Sequence, residues 1–254
     1  MVYSVFLWRK GFRQDNRVNY LLLLLGFVLH TLAMFKRGFS LAHCPVNNLF
    51  EATMFTLWAI VTAYLAIGLW PRLQFLGAFA SAVLFAVGVF ALMPKLDTPH
   101  GPTAEFAHGW TSLHAALIML AYGAFGLSCV AALMYLTQEH DLKFHKFRAV
   151  ASLLPAIQRL EVIVSRLLLA GFVLLTAGLF VGAHWVEKPA GVRFIEDPKV
   201  IWSLFVWLVY LGLLVMRWRF AQGGRRFAWG AIGSFVFVML TFWGSNLLSS
   251  IHNP

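Results

Sequence analysis

Three features of this 254-residue sequence predict an all-α fold, a polytopic membrane bundle of about seven transmembrane helices. Sixty per cent of the residues are hydrophobic (60%), only 12% are charged, and the apolar residues gather into seven segments free of Asp, Glu, Lys and Arg. A soluble domain carries about 45–50% apolar and about 25% charged residues, so this chain has too few charges to build a water-facing surface. A soluble enzyme, a disordered chain and a secreted disulfide scaffold are thereby excluded. The two cysteines form no C-x-x-C or C-x-x-C-H, which excludes a thioredoxin-like motif and a covalently attached c-type haem.

The seven segments are 18–35, 52–70, 73–92, 113–136, 167–186, 200–216 and 227–248. A spanning helix needs about 20 apolar residues. The runs are continuously apolar rather than alternating, which favours helices over a barrel. The first segment is long for a signal-peptide core and no small-residue cleavage site follows it. Residues 1–17 read as an N-terminal cytoplasmic stub, whose apolar part, 1–8, is too short to cross and is an interfacial piece or the remnant of a further helix. Residues 18–254 read as one transmembrane domain. Segment 142–166 mixes basic residues with Leu153, Leu154, Ile157 and Leu160 and contains Pro155. It predicts a short cytoplasmic interfacial helix feeding the fifth span, a solvated basic loop being the alternative for its first half.

Local signals fix some helix starts. Asn48-Leu49-Phe50-Glu51 has the form of a capping box. Thr111 and Ser112 are N-cap candidates for the fourth span, and Asp197 followed by Pro198 supplies an N-cap and a first-turn proline for the sixth.

The formal net charge is +10. In a soluble protein that would suggest nucleic acid; here the lipid bilayer is the partner and the charge belongs to the loops. Alternate loops hold 14 basic residues on one side, from Arg9 to Arg226, against 6 on the other: Lys36, Arg37, Lys95, Lys188, Arg193 and Lys199. The richer side is expected to be cytoplasmic. The N-terminus is then inside and the C-terminus outside, in a bacterial-type cytoplasmic (inner) membrane.

Candidate chemistry lies mostly on the outer side. His30 falls within the first span, six residues before Lys36 and about 9 Å below the boundary. An ionisable group at that depth is a functional candidate; the alternative is a neutral imidazole bonded to a neighbouring helix. His114 opens the fourth span and His252 follows the last. Two imidazoles at one depth on different helices can ligate haem iron from both faces, although each alone also reads as an ordinary interfacial histidine. Zinc is disfavoured by the irregular spacings. In the loop 184–199, Trp185 and Phe194 can stack on a flat ligand, while Lys188, Arg193 and Lys199 can pair with carboxylates such as haem propionates. An aromatic interfacial belt with charged rims explains the same residues. Glu51 can orient a ligand histidine. Cys44 and Cys129 lie at depths too different to pair.

Several segments, in order along most of the chain, resemble the cytochrome c assembly family, the CcsA/CcmC haem-handling membrane proteins and their HemX-like relatives. They are His30-Thr31-Leu32; Cys44 to Glu51 followed by Trp58; His114 with Ala121-Tyr122; Leu154-Pro155 with Arg159-Leu160 and Gly171-Phe172; Asp197-Pro198-Lys199 with Trp202 and Trp207; and Asn246-Leu247-Leu248 with His252. The family's tryptophan-rich outer stretch is eroded. Trp185 is kept, but Ala190, Phe194 and Glu196 stand at later tryptophan positions, and Val215 stands where many members carry a histidine. This leans toward the HemX-like branch.

The resemblance implies a haem-binding assembly factor for c-type cytochrome biogenesis rather than a stand-alone enzyme. Its cofactor is b-type, non-covalent haem at the outer face, substoichiometric because three ring-contacting positions are lost. His114 and His252 become axial ligands, and His30 an internal relay site. Trp185, Arg193, Phe194, Asp197, Lys199 and Glu51 complete the site, with apocytochrome c or a partner assembly subunit receiving the haem. The alternative is a HemX-like regulator or scaffold that docks a cytoplasmic tetrapyrrole-synthesis enzyme on 143–166. A transporter is disfavoured, since there is no inverted repeat and no matched pair of Gly/Pro-broken helices.

Overall fold

The computed structural model describes residues 17–41, 48–70, 73–93, 109–144, 157–185 and 197–247. These form seven helices: α1 Arg17–Leu41, α2 Leu49–Ile67, α3 Leu76–Ala91, α4 Trp110–Phe144, α5 Ile157–Trp185, α6 Pro198–Arg219 and α7 Gly224–Leu247. There is no strand among the described residues. By length and composition α1, α2, α4, α5 and α6 can each cross a membrane. Of the seven expected spans, the third is the shortest as built. Residues 73–75 form a turn, and the 16 residues of α3 extend about 24 Å, less than a hydrocarbon core of about 30 Å.

The two ends of segment 142–166 belong to its neighbours: α4 continues to Phe144 and α5 starts at Ile157. Residues 145–156 between them, where the rest of the expected interfacial helix falls, lie outside the described residues. The N-terminal stub also lies outside them, up to residue 16.

The helices run alternately up and down, and cross-links between neighbours fix their register. At one end Tyr20 Oη donates to Leu65 O (3.0 Å), joining α1 to α2, and Arg217 is ion-paired with Glu161, joining α6 to α5. At the other end Arg37 Nε donates to Glu51 Oε1 (2.6 Å). In mid-bundle Ser128 Oγ donates to Val164 O (3.1 Å), joining α4 to α5.

α4 is the central post. Ala121, Ala124, Ser128, Ala131 and Ala132 are all buried, and small side chains let neighbouring backbones approach. In a membrane, where lipid is as apolar as leucine, such close van der Waals packing drives helix association. Gly123 shows how close: a Cβ there would overlap the Ala59 carbonyl of α2. Phe125 stacks face to face on Tyr210 of α6, centroids 3.6 Å apart.

One device recurs at three helix seams. Thr31, Thr176 and Thr241 each donate the hydroxyl to a phenylalanine carbonyl four residues earlier: Phe27 (2.7 Å), Phe172 (2.7 Å) and Phe237 (2.8 Å). Each hydroxyl also accepts an indole N–H from an adjacent helix: Trp58 (2.9 Å), Trp207 (2.9 Å) and Trp202 (2.8 Å), respectively. The threonine thus satisfies a tryptophan donor where no water is available to do so. Phe27 and Phe172 additionally pack on the rings of Trp58 and Trp207, at 5.4 and 5.2 Å.

Candidate functional site

The sequence candidates that fall within the described residues lie toward the same end of the bundle, on three seams. The most built of these is between α4 and α5. His114 lies in the first turns of α4, and its Nδ1 is 2.7 Å from Gly178 O on α5. A carbonyl only accepts, so Nδ1 carries a proton, and in the neutral ring the lone pair is then on Nε2. That is the tautomer a metal-ligating imidazole needs, oriented by a backbone acceptor as such ligands usually are. Space for the ring is provided by a second glycine one turn on: a Cβ at Gly182 would sit 2.6 Å from His114 Nδ1.

Beside the imidazole stands an aromatic wall. Trp110, four residues before His114 and so on the same helical face, stacks on Trp185 at 5.1 Å with the planes 19° apart. Phe180 meets Trp185 edge-on at 5.4 Å and lies 4.2 Å from the His184 ring. Trp110, Phe180 and Trp185 are all about half exposed, which leaves indole and phenyl faces accessible at the bundle end.

The α1–α2 seam carries His30 and Glu51. His30 Nε2 is enclosed but has no hydrogen-bond partner among the described residues, so the alternative of an imidazole bonded through that nitrogen to a neighbouring helix is not what the described residues provide. Glu51 is buried. Its backbone N–H donates to Asn48 Oδ1 at 2.8 Å, as the capping motif predicts. Its carboxylate accepts from Arg37, whose guanidinium also lies 5.1 Å over the Phe50 ring.

The start of α6 carries Asp197 and Lys199, both buried. Asp197 accepts from the backbone N–H groups of Lys199 (2.9 Å) and Val200 (3.3 Å), with Pro198 in the first turn, as expected. Lys199 Nζ lies 4.8 Å over the Trp202 ring. Its ammonium is therefore held within the protein, against the indole, rather than in an exposed rim.

His252, Arg193 and Phe194 lie outside the described residues, as do Lys188, His43 and Cys44. Cys129 is a free, buried thiol within α4. Among the described residues no group of three or more His, Cys, Asp or Glu could hold a metal ion. The structure brings Trp185 to the seam that holds His114. Trp110, Phe180, Gly178, Gly182 and Arg37 were missed in the sequence. Two signals pointed to some of them: Trp110 precedes His114 by one helical turn, and Gly178 and Gly182 form a small-xxx-small pair.

For haem, the described part of the site offers one imidazole whose Nδ1 donates to a backbone carbonyl, flat aromatic faces on the same seam, and a lysine at the start of α6. This donor set fits an iron porphyrin on the His114 side.

Comparison with known proteins identifies the family. Residues 46–252 match the model of the family described as cytochrome C assembly protein. The chain is 28% identical over 253 residues to the cytochrome c biogenesis protein CcsA of Synechococcus sp. strain CC9605, covering 90% of this chain and 83% of that protein. It is 27% identical over 245 residues to CcsA of Guillardia theta, covering 89% and 81%. It is 30% identical over 224 residues to Protein HemX of Brevibacillus brevis, covering 85% and 81%.

Proposed function

The chain belongs to the cytochrome c assembly protein family, and from that premise we propose that it holds haem at the outer end of its bundle and presents it for c-type cytochrome assembly. The observation that carries this reading is the His114 Nδ1–Gly178 O hydrogen bond. It orients the imidazole so that the neutral ring has its lone pair on Nε2, at the end of the bundle where Trp110 and Trp185 offer stacking faces.

Haem, when bound, would supply a redox-active iron and two carboxylates. His114 Nε2 and His252 would hold the iron. The Gly178 carbonyl would orient the His114 ring, and Gly182 leaves room for it. Trp185 and Phe194 would stack on the flat ligand and shield it from water. Arg193 and Lys199 would pair with its carboxylates, with Asp197 holding the start of α6 so that Lys199 is placed. Glu51, through its ion pair with Arg37, braces α2 against α1 near His30, whose unpartnered Nε2 suits a second ligand position deeper in the bundle. The haem is non-covalent and substoichiometric, because the positions at Ala190, Phe194 and Glu196 lack the indoles that would retain it. The recipient is apocytochrome c, alone or with a partner subunit.

The end carrying His114 faces outward, because Arg17, Arg159, Arg166, Arg217, Arg219, Arg225 and Arg226 all cluster at the opposite end. A cysteine placed near Val192 is then labelled from outside the membrane, and one near Arg225 is not; the reverse pattern overturns the orientation.

The test of the ligand assignment is the absorption spectrum of the detergent-purified protein. Wild type shows a six-coordinate, bis-histidine Soret and α band. His114→Ala and His252→Ala each abolish it, and added imidazole partly restores it, while His43→Ala and His100→Ala leave it intact. Wild-type spectra in both ligand mutants, or haem in no preparation, overturn the assignment.

The similarity to Protein HemX supports a second reading, a membrane scaffold for a cytoplasmic tetrapyrrole-synthesis enzyme. Lys143, Arg159 and Arg166 are exposed at the end opposite His114. On this reading Gln at positions 143, 146 and 148 releases a co-purifying protein with haem content unchanged.

A further inference from the structure

Between α5 and α6, at the arginine-rich end, lies an open groove of about 520 Å³. Its walls join two chemistries. Val162 and Leu169 are apolar, while Ser165, Arg166, Arg217 and Trp218 present polar or charged groups. The groove sits at the edge of the hydrocarbon layer. From Leu167 to the end of α5 at Trp185 the helix carries no Asp, Glu, Lys or Arg, and those 19 residues extend about 28 Å, the thickness of a bilayer core. Arg166 therefore marks the boundary on α5. Arg217 marks it on α6, as the first charge after the apolar run from Val200.

The two arginines are not equivalent. Arg217 is ion-paired with Glu161 and its guanidinium lies 5.6 Å from the Phe227 ring centroid. Arg166 is exposed, and among the described residues it has no ion pair. The groove thus has a net positive charge borne by Arg166, an adjacent serine hydroxyl and an indole 59% exposed at the level of lipid headgroups. On the membrane side of Arg166 the groove wall is apolar at Leu169, while Val162, 42% exposed, lies on the headgroup side of Arg166.

We propose that this groove binds one anionic phospholipid, its phosphate on Arg166 and Ser165, its headgroup over Val162 and an acyl chain along Leu169. Charge complementarity selects the headgroup, since basic pockets between spanning helices at the membrane edge recruit anionic lipids. The apolar wall selects a lipid over a free phosphate. Trp218 lies in the interfacial layer where indoles concentrate. The lipid fills the seam between α5 and α6 on the side facing away from α4.

The full-length protein in neutral detergent is titrated with phosphatidylglycerol, with phosphatidylcholine and with inorganic phosphate. Retained lipid is counted by native mass spectrometry, and the thermal midpoint is followed. Wild type retains phosphatidylglycerol and gains thermal stability from it, and gains nothing from phosphate alone. Arg166→Gln weakens retention about fivefold, the worth of one arginine beside an anionic lipid. Val162→Trp, which fills the headgroup end of the groove without changing charge, weakens it comparably. Arg225→Gln, an exposed arginine outside the groove, has no effect. Equal retention in wild type, Arg166→Gln and Val162→Trp overturns the site. So does equal loss in Arg225→Gln, which means diffuse attraction, or equal retention of phosphatidylcholine. A stabilisation reproduced by phosphate alone overturns the lipid as occupant.

Discussion

α1 and α4 are almost equally apolar, yet 6% of α1's most apolar stretch is buried in the protein against 78% of α4's. Each carries one of the two candidate histidines within a span. On α4 the imidazole of His114 is pinned to a neighbouring backbone carbonyl. On α1 His30 Nε2 has no hydrogen-bond partner among the described residues, and leucines 21, 25, 29 and 32 of the same helix are exposed. A ligand on a central post can be held in one geometry by the helices around it. A ligand on a peripheral helix has fewer neighbours to hold it, which suits the second, transient position proposed for His30.

The sharpest way to break this comparison is a pair of glycine substitutions. Gly123→Leu on α4 drives a side chain into the Ala59 carbonyl, and overpacking of that kind costs about 1–3 kcal/mol or more. Folded protein recovered from membranes falls severely. Gly26→Leu on α1 meets nothing within 4 Å and improves helix propensity by up to about 1 kcal/mol. Its yield and thermal midpoint match or exceed wild type. Equal damage from both changes would mean that α1 is as enclosed as α4.

A subtler change tests the pinning alone. Gly182→Val places a methyl-bearing carbon where the His114 ring lies and tilts the imidazole off the Gly178 carbonyl. The six-coordinate spectrum is lost while size-exclusion behaviour stays that of a folded monodisperse protein. Retention of the wild-type spectrum would show that the ring does not need this slot.

The smallest effect is expected at His30. Replacing an enclosed, unpartnered imidazole with phenylalanine removes a desolvation penalty of about 1–3 kcal/mol, partly offset by the extra volume of the new ring. His30→Phe therefore raises the thermal midpoint modestly, leaves the His114-dependent spectrum in place and slows cytochrome maturation. A lowered midpoint would mean that the nitrogen is satisfied after all.

Helix number and local starts were legible in the sequence because they depend on neighbours along the chain. Asp197 caps α6 through two backbone N–H groups, and Asn48 caps α2, as read from residue type and spacing alone. What was not legible is which face of each helix meets protein. In a soluble helix the polar side reveals the buried side. Here lipid-facing and core-facing surfaces are both apolar, so α1 and α4 look alike as strings. The same ambiguity hid the partners of the site. His114 was identifiable as a candidate, but the Gly178 carbonyl that sets its tautomer lies 64 positions away, on a helix whose rotation only packing decides. Arg37, counted only as a loop charge, proved to be the cation beside the buried Glu51 for the same reason.

The length of α4 has a mechanical consequence. Its 35 residues extend about 52 Å, beyond the roughly 40–45 Å of a bilayer with its headgroups. One unbroken rod therefore joins Trp110 and His114 at one membrane surface to Glu139 and Lys143 at the other. A helix is far stiffer along its axis than the loops around it. An axial displacement imposed on the tryptophan stack at one surface is delivered, nearly undiminished, to the charged turns at the opposite surface.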